Sequence, residues 1–152
     1  MPLNLAYMKY PKYPIEKREN PFVFVFVSDG PHGKIKKGVY YAKIGSNLFN
    51  LGFGDWNKEP LELDDSSRSN NGDRDKVLAT VAHTALSFTD QFPEARIFIE
   101  GSTAARTRLY QMGIAANLRE ITCNFEIQGF MDGEWELFRR GRNYEAFLIS
   151  RK

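Results

Sequence analysis

Residues 97–108 read Ile-Phe-Ile-Glu-Gly-Ser-Thr-Ala-Ala-Arg-Thr-Arg, and the folding of this stretch decides the architecture. Arg96 to Glu100 is a short apolar run of the composition found in buried strands, and Gly101-Ser102-Thr103 supplies a turn with hydroxyl caps. A helix of about 15 residues follows, with Ala105, Leu109, Met112 and Ala116 predicted to face inward at helical spacing. A strand that enters a helix over three residues is a βα unit. Gly113 lowers the propensity of that helix by about 1 kcal/mol relative to Ala, so it marks a place for a kink or a break.

Towards the N terminus, a longer helix is expected from a cap at Asp73 to Gln91, with Val77, Val81, Thr84, Ala85 and Phe88 on one stripe and Phe92-Pro93 as its stop. Before it, residues 55–73 turn polar and acidic and read as a mobile loop. Three strands precede the loop: Phe22 to Val27, aromatic and β-branched enough to be covered on both faces, then Gly38 to Ile44 and Leu48 to Phe53, joined by Gly-rich turns. Residues 1–20, with Tyr7, Tyr10 and Tyr13 among prolines, form an extended arm that needs apolar surface on the body or on a partner. Beyond the second helix come Ile121 to Phe130, a turn at Asp132-Gly133, Trp135 to Phe138, a basic loop and Tyr144 to Ile149. The order is β-β-β-α-β-α-β-β with room for one more strand, which makes the chain a single α+β domain over 1–152, built on a mixed sheet with antiparallel strands at its C-terminal end.

Composition narrows the classes. At 152 residues and 17.5 kDa the chain can bury a core of its own without a disulfide or a structural metal. Cys123 is the single cysteine and the two histidines form no spaced cluster, which argues against a zinc site and leaves Cys123 as buried filler. His83, near the apolar stripe of its helix, is expected to be a hydrogen-bonded core or boundary residue. The longest apolar run has six residues against about 18 for a spanning helix, and no leader peptide is apparent, so no membrane role and a cytoplasmic location are expected. The formal charge is only +2, but residues 1–43 hold eight Lys/Arg against three Asp/Glu and residues 44–75 hold three against seven.

Three groups of residues could carry chemistry. The first is Ser102, Thr103, Arg106 and Arg108: the opening amides of a helix point outward with partial positive charge, and two arginines in the first turns oppose the dipole unless a carboxylate or a bound anion compensates them. Either Ser102 or Thr103 merely caps and the arginines pair with Glu100 or Glu120, or the corner binds phosphate. The second is Asp29 with Glu100, two carboxylates at strand ends. If their strands are neighbours they could hold Mg²⁺ and activate water, and Mg²⁺ is the one cofactor the sequence brings into question. The third is the basic loop of Arg139, Arg140 and Arg142, suited either to a phosphate backbone or to blunting an edge strand. No Gly-rich phosphate loop, Gly-x-Ser-x-Gly elbow or metalloprotease motif occurs.

The strand order, with Asp29 in Val-Ser-Asp-Gly and Glu100 in Ile-Glu-Gly-Ser, resembles the ribonuclease H fold across residues 22–127. That resemblance implies carboxylates at both positions binding metal, and it puts Lys76 where the family has its helical carboxylate, a change that removes a ligand. Residues 101–150 are similar to a family of small uncharacterised bacterial proteins, through Gly-Ser-Thr-Ala-Ala-Arg-Thr-Arg-Leu-Tyr-Gln-Met, Phe125-Glu-Ile-Gln-Gly, Gly133-Glu-Trp-Glu and Asn143-Tyr-Glu-Ala-Phe-Leu-Ile. The expectation is a protein of unknown function that binds nucleic acid or another phosphate-bearing ligand at 100–108. Its alternatives are a protein-interaction module of a two-gene regulatory or toxin–antitoxin-like pair, a homodimer, and a metal-dependent nuclease using Asp29 and Glu100.

Overall fold

The run from Phe22 to Val27 demands cover on both faces, and the computed structural model, which describes residues 11–56, 63–64 and 72–152, makes it a strand inside a sheet. β2 (Val23–Gly30) has Val23, Phe24, Val25 and Phe26 between 1% and 5% exposed. β1 (Glu16–Lys17) lies on its outer side, and β3 (Gly33–Gly45) and β4 (Leu48–Trp56) continue the meander antiparallel on the other. β5 (Leu63–Asp64) pairs with the end of β4. After α1 (Arg74–Gln91), β6 (Arg96–Ile99) joins β4 in parallel. Then come α2 (Ala104–Ala116), α3 (Leu118–Thr122), β7 (Phe125–Met131), β8 (Glu134–Leu137) and β9 (Ala146–Arg151). The spatial order is β1-β2-β3-β4-β6-β9-β7-β8.

The α+β class and the expected succession of elements hold, with two short strands and α3 added. Tyr7 and Tyr10 of the arm, and residues 57–62 and 65–71 of the acidic loop, lie outside the described residues. Tyr13 docks on the body: it is 7% exposed, its ring stacks on Phe26 at 5.9 Å and its N–H donates to Thr80 Oγ1 at 2.9 Å.

Alternation along the strands sorts side chains onto two faces. The face with Phe24 and Phe26, Val39 and Tyr41, Leu51, Ile97 and Ile149 packs under the helices. α1 meets it with the stripe its spacing predicts. Phe88 is fully buried, stacked on Tyr41 at 4.3 Å and 4° and set edge-on to Phe49 at 5.0 Å. Each such side chain contributes about 1.5–3 kcal/mol of transfer free energy, so this aromatic cluster anchors the left half of the sheet.

α2 corrects the expected face. Ala105, Leu109 and Met112 are exposed and Ala116 only half-buried, while Thr107, Tyr110 and Ile114 turn inward. The reason lies at the helix entrance. A β-carbon on Gly101 would overlap the backbone N of Thr107, so the turn lies directly against the first helical turn. Thr107 Oγ1 there accepts the Gly101 N–H at 3.0 Å and donates to the Thr103 carbonyl at 3.2 Å. That docking fixes the rotation of the helix and spends its buried stripe on the bulkier Tyr110 and Ile114. The helix also runs through Gly113 and ends at Asn117, whose side-chain amide donates to the Gly113 carbonyl at 3.0 Å. Cys123 is exposed instead of buried, because α3 continues to Thr122 and the strand expected from Ile121 starts at Phe125.

Candidate functional site

The corner between β6 and α2 is built from local rules. β6 ends at Ile99, Glu100 is exposed, and Thr103 takes the cap position with extended backbone, its Oγ1 accepting the Arg106 N–H at 3.1 Å. Ser102, Thr103, Ala104, Ala105 and Arg108 are exposed and Arg106 is half-buried. The first N–H groups of any helix lack a carbonyl four residues back, so those of Ala104 and Ala105 end the helix dipole at an open surface. α2 has no acidic residue in its first turn, unlike α1, which carries Asp75 there. Arg108 forms no ion pair with Glu100 or Glu120 among the described residues.

Asp29 and Glu100 do not come together. Their strands, β2 and β6, are separated by β3 and β4, which at the usual spacing places them roughly 14 Å apart. Asp29 and Glu100 therefore do not stand side by side as the ribonuclease H resemblance implies. Among the described residues no three His, Cys, Asp or Glu side chains group as metal ligands. Lys76, at the position the resemblance assigns to the helical carboxylate, lies over the Tyr13 ring at 4.1 Å.

Sequence reasoning missed two polar clusters at that end of the sheet. Asp73 sits at the cap position of α1 but makes no side-chain capping bond. Its Oδ2 instead accepts the Tyr13 hydroxyl and the wholly buried Ser28 hydroxyl, each at 2.5 Å. Burial, then the neighbouring Asp73 carboxylate, raise the Tyr13 phenol above its ordinary value. Lys37 Nζ pairs with Asp55 Oδ1 at 2.6 Å on the helix-facing side of β3 and β4, with Lys37 6% exposed. The available signal was parity: Lys37 is two residues from Val39 and Asp55 two from Phe53, so extending either strand would have turned both charges inward.

The three arginines of the basic loop have separate duties. Arg142 Nε contacts Glu136 Oε2 at 2.7 Å, Arg139 Nε lies 3.8 Å from the same oxygen, and Arg140 donates to the Ala115 carbonyl at 2.8 Å near the end of α2. Glu136 also accepts the Tyr144 hydroxyl at 2.7 Å, and burial followed by that bond raises the Tyr144 phenol. Gln111 of α2 closes the arrangement, accepting the Tyr144 N–H at 3.1 Å and donating to the Arg142 carbonyl. The loop is thus an internally tied strap, and only Arg140 turns away from Glu136.

His83 is half-buried, but among the described residues its Nδ1 has no hydrogen-bond partner, in contrast to the expected bonded state. Burial first, then repulsion from Lys12 and Lys17, lower its pKa against a weaker opposing pull from Asp90. No helix among the described residues is long and apolar enough to cross a membrane.

Fold and site together define an α+β domain with helices on one face of a mixed sheet and an open, cationic helix entrance at its middle. The chain belongs to a family of unknown function (DUF6934), which matches residues 9–152. No curated protein and no solved structure matches it.

Proposed function

We propose that the chain binds a phosphate-bearing ligand, nucleic acid foremost, at the corner formed by Ser102, Thr103, Arg106 and Arg108. The observation that supports this most is the combination of an exposed α2 entrance with two arginines and no first-turn carboxylate. Backbone amides and guanidinium groups then address the same anion, one by dipole and hydrogen bond, the other by charge-assisted contact. Sequence specificity is not built into such a site, because phosphate contacts position a ligand without reading bases. The test is fluorescence anisotropy of a labelled single-stranded oligonucleotide across a salt series. Affinity is expected to fall with salt, and Arg106→Ala with Arg108→Ala to weaken binding and flatten the log–log slope by about 1 to 1.5. Binding untouched by both changes would remove the site.

A second reading, a protein-interaction module, draws on the helix-free face of the sheet. Trp135 is 41% exposed there and touches Phe98 at 6.3 Å and Phe130 at 5.1 Å. An exposed aromatic patch is a usual mark of an interface.

A further inference from the structure

β7 is longer than the strand beside it. β8 pairs with it only from Gln128 to Met131, so among the described residues Phe125, Glu126 and Ile127 have β9 on one side and no strand on the other. One bond bridges the gap, from the Phe138 N–H to the Ile127 carbonyl at 2.9 Å. In an antiparallel ladder the backbone groups of successive residues alternate in direction. Ile127 thereby marks its own side as outward, and Phe125 shares it, so the Phe125 N–H and C=O and the Ile127 N–H face away from β9.

What they face is a groove of about 510 Å³, large enough for a peptide segment or a small molecule. α3 forms one wall and the chain from Leu137 to Arg140 the other. Three basic side chains, Arg119, Arg140 and Lys152, stand against one acidic side chain, Glu126, around the groove. Arg119 and Lys152 are exposed and make no ion pair among the described residues. Leu137, 64% exposed, is the most exposed large apolar side chain described and lies at the rim.

We infer that this groove binds an extended acidic segment of a partner protein, which adds as a strand along the open edge of β7 and sets its carboxylates against Arg119, Arg140 and Lys152. The inference rests on the interaction reading above and is independent of the anion site on α2. Strand addition answers three features together: unpaired backbone groups at strand spacing supply affinity, Leu137 offers an apolar seat for alternate side chains, and the charge excess selects acidic residues. Nucleic acid fits less well, because the groove's two aromatic side chains, Phe125 and Phe138, are buried and half-buried and offer no open ring for stacking.

The probe is a capped peptide of about ten residues alternating Val or Ile with Glu or Asp, titrated into the isotope-labelled full chain and followed by amide chemical shifts. Saturable shifts confined to residues 118–127, 137–140 and 152 are expected, with affinity reduced at least about tenfold by the exposed-site pair Arg119→Glu and Lys152→Glu. The same loss is expected when a central peptide residue is replaced by Pro, which removes a ladder N–H. Equal binding of a Lys-for-Glu peptide, equal binding of the Pro peptide, or no saturable shift at about millimolar peptide would each overturn the inference. Shifts centred on Phe98, Phe130 and Trp135 would also overturn it, while leaving the interaction reading standing on the other face. Displacement of the peptide from the groove by an oligonucleotide would assign the surface to nucleic acid and overturn it equally.

Discussion

Gly129 has no room for a β-carbon because the Tyr144 ring occupies the space one would need. The glycine is what lets that ring lie across β7, 5.3 Å from Phe138 and edge-on to Phe147 at 6.0 Å, with its hydroxyl on Glu136. Because Gly129 and Tyr144 are both buried and the obstacle is an aromatic ring flanked by Phe138 and Phe147, relaxation is costly. Gly129→Ala is expected to destabilise the fold by about 2 kcal/mol or more, in the upper part of the overpacking range, read as a lowered thermal midpoint. In a Tyr144→Ala background, itself destabilised by loss of the buried ring, the same glycine substitution should cost less, a non-additivity that a double-mutant cycle reads; a Gly129→Ala variant as stable as the parent would show that the strap yields freely. Nothing in Phe125-Glu-Ile-Gln-Gly announces this role, since the ring that requires the glycine comes from fifteen residues further along the chain.

Elements made legible by local spacing were those whose apolar residues outnumber the alternatives. α1 carries Val77, Val81, Thr84 and Phe88 on one stripe, which identified the face it turns to the sheet, although Leu86, half a turn away from Val77, is buried as well. α2 mixes alanines, a leucine, a methionine, a tyrosine and an isoleucine around its circumference, and its rotation is decided by the contact of Gly101 with Thr107, which no periodicity encodes. Of the candidate site, Thr103's cap could be read from the sequence, whereas Asp73 looked like a cap and became instead the acceptor for Tyr13 and Ser28. α1 also carries a testable pH response through His83. Its folded-state pKa is lowered, so the unfolded chain takes up a proton before the native one does. The stability this represents is intact above the unfolded value of about 6.5 and declines as pH falls from there towards the folded value. Urea midpoints of the parent chain should drop between about pH 7.5 and 5.5 more than those of His83→Gln; parallel pH profiles would show that the imidazole is not held neutral.

At the scale of the molecule, the feature sequence could least supply is that the last strand is an interior one. β9 lies between β6 and β7, so the β7–β8 hairpin and its helices join the meander of β1 to β4 through residues 146–151. β6 in turn holds the meander by its parallel pairing with β4, three residue pairs long, so among the described residues the ladder from β7 to the rest of the sheet runs through β9. Strand order of this kind depends on which distant edges meet, and the regular patterns of β7 and β9 are compatible with several answers. The consequence is quantitative. Phe147, fully buried, and Ile149, 6% exposed, each contribute about 1.5–3 kcal/mol by burial alone, and the ladders to β6 and β7 come on top, against a total stability of about 5–15 kcal/mol for a domain. Truncation after Glu145 is therefore expected to abolish cooperative unfolding and near-ultraviolet circular dichroism, whereas removal of the exposed Lys152, whose N–H reaches the Asn124 carbonyl at 2.9 Å, should shift the midpoint only slightly. A chain ending at Glu145 that still melted in one sharp transition would mean that the helices packed over the sheet suffice to hold the β7–β8 hairpin to the meander without the ladders of β9.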